Sequence, residues 1–171
     1  MSLALYRRNV AVVPDQVKIF SGTLADNVLI GRDSTESRER IEALKLGPFL
    51  SRFEHGWATA VGEDGRRLSG GERQVVGLIR ALIDEPAVLL VDEGINSADV
   101  ELTGVIMDML VAYAKAHAVL LISHDLRVLI HVDHLYLLED GRIVSQGSPQ
   151  ALLSSSERFS KLWQIQNPKL P

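Results

Sequence analysis

Residues Leu68 to Gly94 read LSGGERQVVGLIRALIDEPAVLLVDEG. Two elements and the join between them are legible here. Ser69-x-x-Glu72 has the spacing of a capping box, in which each side chain satisfies the other residue's backbone N–H. Val75, Val76, Ile79, Leu82 and Ile83 then recur at helical period. Pro86 cannot continue a helix, because it lacks the N–H and its ring clashes with the preceding turn. Ala87 to Val91 follow as an unbroken apolar run of strand length, and the run stops abruptly at Asp92-Glu93. An uninterrupted apolar strand implies burial on both faces, the condition of a parallel sheet covered by helices.

Reading outward, a helical segment from about Val100 to Ala116 leads into a second apolar run, Ala118 to Ile122. Two such strands joined by a helix predict a right-handed βαβ unit. Asn9 to Val13 reads as a further short strand, closed by Pro14. The stretch SGTLADNVLIG offers helix-start chemistry at Ser21 and Thr23, with Asp26 three residues after Thr23. DSTESRERIEALKLGPF predicts a longer helix capped by Asp33 or Ser34 and ended by Gly47-Pro48. EHGWATAVGEDGRR, rich in glycine and charge, reads as a loop. HLYLLEDGRIVSQG predicts a hairpin turning at Asp140-Gly141. Ser148-Pro149 predicts a short terminal helix with proline in its favoured first position. The pattern is that of an α/β chain, a parallel-sheet core with a helical insertion before its main strands.

Bulk properties narrow the function classes. The 171 residues suffice for an ordinary core, and 46% hydrophobic with 23% charged residues is a globular balance. A net charge of −4 without a basic stripe argues against nucleic acid as the main partner. With no cysteine, disulfides and cysteine-based zinc sites are excluded. Apolar runs such as AVLLV and AVLLI are strand-sized, well short of the ~20 residues that span a bilayer. MSLALYRRNVAVVPDQ contains no apolar stretch of signal-peptide type.

Three places carry chemistry. Asp92 and Glu93 end an apolar strand, which puts two carboxylates at the carboxyl edge of the sheet, where open α/β sheets bind ligands. One acid can hold Mg²⁺ and the next can polarise an attacking water. Gly70 and Gly71 open a helix whose uncovered N–H groups and dipole attract phosphate. His124 follows the second apolar strand and so emerges at the same edge, where it could contact a terminal phosphate. Taken singly, each has a plainer reading: acids solvating a strand end, a capping box with flexible glycines, a polar strand cap. Their order and spacing together favour the chemical one.

That order resembles the nucleotide-binding domain of an ABC transporter of the exporter type. LSGGE looks like the family's signature loop, LLVDE like its Walker B strand, and SHD like its switch histidine. Ser97-Ala98-Asp99 stands where the D-loop falls. FSGTLADNV, from Phe20, resembles the exporter segment after the Q-loop, and TAVGEDG, with Glu63, the loop that touches the membrane domain. The resemblance runs from about residue 5 to 165. It implies a partial P-loop NTPase fold in which residues 15–85 hold the Q-loop and a helical subdomain. Residues 86–171 would hold the Walker B strand, D-loop, H-loop and the rest of the core.

Within that family the roles fall on named residues. Asp92 would hold Mg²⁺, with Gln16 of the Q-loop near the metal and nucleotide. Glu93 would act as base and His124 would contact the γ-phosphate. Ser69, Gly70, Gly71, Glu72 and Asp99 would face nucleotide. The implied cofactors are ATP and Mg²⁺. The implied partners are an exporter's transmembrane domain and a second nucleotide-binding domain in a head-to-tail dimer, at the cytoplasmic face of a membrane, with no nucleic acid. The pattern departs at several positions: Asp15 precedes Gln16 where the family has Gln directly after Val-Pro, so either residue can take the Q-loop role. Glu72 replaces the commoner Gln, GINSAD replaces the usual ATSALD, and VVGLI replaces an arginine-rich stretch. GxxxxGK followed by Ser or Thr occurs nowhere among the 171 residues. The expectation is therefore that the phosphate cradle lies upstream of Met1, and that this chain alone is a soluble, inert, non-enzymatic fragment of an ATPase. A soluble ATPase of the same fold acting on DNA is the remaining alternative. It needs a very long coiled coil between Q-loop and signature, and Gln16 and Ser69 stand too close for one.

Overall fold

The apolar run after Pro86 forms the middle strand of a sheet. The computed structural model describes residues 9–32, 35–95 and 97–167. β1 (Val10–Val13), β2 (Val88–Asp92) and β3 (Ala118–Ile122) are parallel, in the order β1-β2-β3. Val13 pairs with Val91, and Asp92 with Ile122, so β1, β2 and β3 end level at one edge of the sheet. Contacts divide the chain into two compact units, Met1–Ile122 and Ser123–Pro171.

Between β1 and β2 the described residues form four α-helices, α1 (Leu24–Val28), α2 (Thr35–Ala43), α3 (Gly47–Leu50) and α4 (Gly70–Ile83). Thr23 caps α1 through a complete box with Asp26, whose Oδ2 accepts from the Thr23 N–H at 2.8 Å. That amide and the Thr23 hydroxyl hold the Asp26 carboxyl below its ordinary range. Ser69 caps α4 through a second box, accepting from the Glu72 N–H at 3.2 Å while Glu72 accepts from Ser69 N–H at 2.8 Å. Each such cap contributes about 1 kcal/mol. The apolar face of α4, with Val75, Val76, Leu78, Ile79, Leu82 and Ile83, is buried, as are Leu89 and Val91 of β2. At 1.5–3 kcal/mol or so per fully buried side chain, this face supplies much of the unit's stability. α5 (Val100–Ala114) joins β2 to β3 and buries Leu102, Ile106, Met109 and Leu110. The Tyr113 hydroxyl donates to the Pro86 carbonyl at 2.6 Å, tying the end of α5 to the start of β2. Burial, then the charge of Glu85, pushes that phenol up to about 12.

The second unit begins with α6 (Leu126–Leu129), followed by the hairpin β4 (Leu135–Glu139) and β5 (Arg142–Gly147). Asp140 and Gly141 have φ of 49° and 73°, the positive pair that a two-residue hairpin turn requires. α7 (Pro149–Ser155) and α8 (Glu157–Gln166) close the chain. Leu126, Leu135, Leu152 and Phe159 form a core of their own.

Several sequence expectations need correction. Gly47-Pro48 does not end a helix: α2 stops at Ala43, Lys45 takes a positive φ of 53°, and Pro48 sits in the first turn of α3. Proline at a helix start loses no hydrogen bond, so a Gly-Pro pair suits either role. The alternative caps Asp33 and Ser34 lie outside the described residues. Ser148-Pro149 opens not one terminal helix but two, because Ser156 ends α7 and caps α8. β3 is not buried on both faces: Ala118, Leu120 and Ile122 are exposed. Val12 of β1 at 56%, Leu120 at 49% and Ile122 at 50% exposure leave apolar surface on the sheet.

Within the described residues β1 and β3 each pair on one side only. A free strand edge beside exposed apolar side chains favours strand addition. The 171-residue chain should therefore self-associate with rising concentration in light scattering, and Leu120→Lys should shift it toward monomer. A strictly monomeric parent chain at high concentration would contradict this.

Candidate functional site

The carboxyl edge of the sheet carries the expected carboxylates and the Q-loop candidates. Pro14, Asp15 and Gln16 follow β1, and the side chains of Asp15 and Gln16 are exposed. Asp92 ends β2, and Glu93 turns sharply away with φ of 51°. A left-handed conformation costs a non-glycine residue roughly 1–2 kcal/mol. Part of what holds it is the Glu93 N–H, which donates to the Ile122 carbonyl at 2.9 Å. Both carboxylates are exposed, in position to meet a ligand. Among the described residues no cluster of three or more His, Cys, Asp or Glu could hold a metal. Asp92 and Gln16 offer oxygen donors, the kind Mg²⁺ prefers, and Mg²⁺ commonly takes only one or two protein ligands. That donor set fits.

The signature-type helix start sits beside the segment that follows Glu93. A Cβ on Gly70 would lie 2.7 Å from Ser97 Cβ, and one on Gly71 would lie 2.7 Å from Ala98 Cα. Glycine is required here by packing, quite apart from any phosphate. Ser69 and Glu72 are both occupied with their cap. Arg52, just beyond α3, reaches the far side of this junction. It donates to Glu101 at 2.7 Å and to Asp99 at 2.7 Å, and approaches Glu72 at 3.4 Å. Exposed pairs of this kind contribute only about 0–1 kcal/mol each, so their effect is chiefly orientation. Asp99 also caps α5, accepting from Leu102 N–H at 2.9 Å. The Leu102 amide, and after it Arg52, hold the Asp99 carboxyl below its usual range. Asp99 thus has both oxygens engaged within its own chain.

His124 lies two positions beyond β3, in the second unit, with its side chain exposed. Its turn is gripped by the carboxamide of Gln166, which donates to the His124 carbonyl at 2.7 Å and accepts from Leu126 N–H at 2.9 Å. Asp125 caps α6 and also pairs with Arg127, whose guanidinium is the main cause that lowers its carboxyl.

Sequence reasoning missed Arg52, Gln166 and a stripe on α4. At i, i+3 and i+6 stand Gln74, Gly77 and Arg80, and all three meet the segment that follows β1. The Gln74 amide donates to the Asp15 carbonyl. A Cβ on Gly77 would come within 2.5 Å of Val17 Cγ2. Arg80 donates to the Lys18 and Asn27 carbonyls, each at 2.6 Å. The available signal was a polar and small residue at helical spacing within an otherwise apolar helix.

Comparison with known proteins follows the same lines. The family model described as ABC transporter matches residues 1–96. The chain is 35% identical over 168 residues to an ATP-dependent lipid A-core flippase of Pectobacterium atrosepticum, a match covering 96% of this chain and 29% of that protein. A Staphylococcus aureus protein named for multidrug export, an ATP-binding/permease protein, is 30% identical over 164 residues, covering 94% of this chain and 28% of its own. A solved bacterial Atm1-family ABC exporter with ATP bound superposes with a TM-score of 0.81 at 30% identity, over 95% of this chain and 29% of that one. The chain therefore spans under a third of the length of these relatives.

The glycine packing gives a signed test. Alanine is favoured over glycine by about 1 kcal/mol inside a helix. Gly104 of α5 has nothing within 4 Å of an added Cβ, so Gly104→Ala should stabilise the chain. Gly71→Ala should instead destabilise it, by about 1–3 kcal/mol, because the contact is with backbone. Urea unfolding of the two variants decides, and equal gains would contradict the packing role.

Proposed function

The chain belongs to the ABC transporter family, and from that premise we propose that it is part of the ATP-hydrolysing module of an exporter. The fold is that of an ABC ATPase, a P-loop NTPase. One observation carries the finer reading: Gly70 and Gly71 lie against Ser97 and Ala98. The signature-type helix start and the segment after the catalytic-type carboxylates thereby form a single surface in one chain. Such a surface suits presentation to nucleotide held by a second copy, in a two-fold dimer where each site is shared.

In this reading Asp92 would hold Mg²⁺, with Gln16 as a second oxygen donor. The metal would offset charge on the phosphates. Glu93 orients the attacking water and accepts its proton, aimed by the sharp turn that its left-handed backbone makes at the end of β2. His124 hydrogen-bonds the terminal phosphate, held in place by Gln166. Ser69, Gly70 and Gly71 direct helix-start N–H groups at the partner's phosphate. Glu72, which in this position would add negative charge, is turned back onto its own cap and toward Arg52. Closing the dimer on ATP and opening it after hydrolysis would move the attached membrane domain between its two states. No helix among the described residues is long and apolar enough to cross a membrane.

In the protein that contains this chain, Mg²⁺-dependent ATP hydrolysis should be nearly abolished by Glu93→Gln and slowed strongly by His124→Ala. Hydrolysis at the parent rate in the Glu93 variant would remove the base assignment. The 171 residues taken alone should behave differently. They contain no GxxxxGK[ST] loop, whose lysine and backbone N–H groups supply most of the charge compensation for a triphosphate. A helix terminus contributes only about 0.3–1 kcal/mol when exposed, far from the ~8 kcal/mol of a micromolar site. Titration calorimetry of the isolated chain with MgATP should show no binding tighter than millimolar, and a micromolar site would contradict the reading.

A further inference from the structure

Gln74 is a polar residue on the buried face of α4, 4% exposed. Its amide nitrogen points at two carbonyls, those of Pro14 at 3.4 Å and of Asp15. Both are acceptors, so the NH₂ must face them and the amide oxygen must face the other way. That oxygen lies 3.0 Å from where a Cβ of Gly94 would stand, and it has no hydrogen-bond partner. Leaving a buried carbonyl unpartnered is costly. The arrangement is thus poor for stability and specific for position.

We propose that Gln74 is a positioning residue that brackets three parts of the site. It holds the backbone of Asp15, which carries Gln16, against the signature helix, and its oxygen abuts the turn that follows Glu93. Gly77 and Arg80 continue the same line of attachment to Val17 and Lys18, so the segment after β1 is registered along α4 over two turns. A shift of the signature helix is then carried directly to the Gln16 loop and to the Glu93–Gly94 turn. The functional half of this proposal rests on the ATPase reading above. The structural half does not.

Hydrogen–deuterium exchange of the 171-residue chain tests the bracket. Gln74→Met keeps the length and removes the donor. It should speed exchange of the Phe20 amide, which closes that segment by donating to Asn27 Oδ1 at 2.8 Å, about tenfold by local opening, with the amides of α4 beyond Gly77 unchanged. Gln74→Glu, of the same shape but with acceptors facing two carbonyls, should exceed that effect. Should Gln74→Met fail to fold, Gly94→Ala crowds the same amide from the other side and should speed exchange at Phe20 likewise. Unchanged exchange there in the variants that fold overturns the proposal. In the protein containing this chain, Gln74→Met should lower kcat for MgATP about tenfold with KM within twofold, the mark of misplaced groups and not of lost binding. Unchanged kcat overturns the positioning role. If exchange responds but no parent protein hydrolyses ATP, the bracket stands and the ATPase reading falls.

Discussion

Helix α4 carries glycine at 70, 71 and 77, and at each a neighbouring segment comes closer than a β-carbon would allow. The rest of the amino-terminal unit is arranged around that closeness. Ser97 and Ala98 rest on the first two glycines, and Val17 rests on the third. The segments after β1 and after β2 thus meet one helix, on which the capping residues of the phosphate-type start also stand. A single rigid element in contact with both strand-end loops is a plain way to make distant parts of a site move together, since packed interfaces shift in discrete steps and do not stretch.

Charge is handled around the same junction. Three carboxylates, Glu72, Asp99 and Glu101, approach Arg52. Without that guanidinium they would repel one another and any phosphate brought near. The charge of Glu72 is met by its capping bond to Ser69 N–H and by Arg52, 20 residues earlier in the chain.

The sheet divides its roles by position. β2, flanked on both sides, buries Leu89 and Val91 and ends in the exposed Asp92. β1 and β3 keep apolar side chains in solvent, and that exposed face contrasts with the buried face of α4. Glu93 adds a backbone in the left-handed region, which the amide bond to Ile122 helps to hold. Lys45, Asp64, Glu85 and Asp140 share that left-handed region, so at Glu93 it records the sharp turn out of β2.

What was legible in the sequence was local. The Ser69–Glu72 box, the apolar face of α4, the bounds of β3 and the Asp140-Gly141 turn each depend on residues within a few positions of one another, so periodicity and capping chemistry reveal them. The strand-end acids and histidine were legible too, because a strand end is a local event. The tertiary structure alone decided the rest. Gly47-Pro48 suits the end or the start of a helix, and the neighbouring packing selects the start. Whether Leu120 is buried depends on what lies over it, which no pattern in β3 encodes. Gln74, Gly77 and Arg80 were passed over because their partners, Asp15, Val17 and Lys18, lie about 60 residues away along the chain. Contacts of that range are made by the fold, and only the fold discloses them.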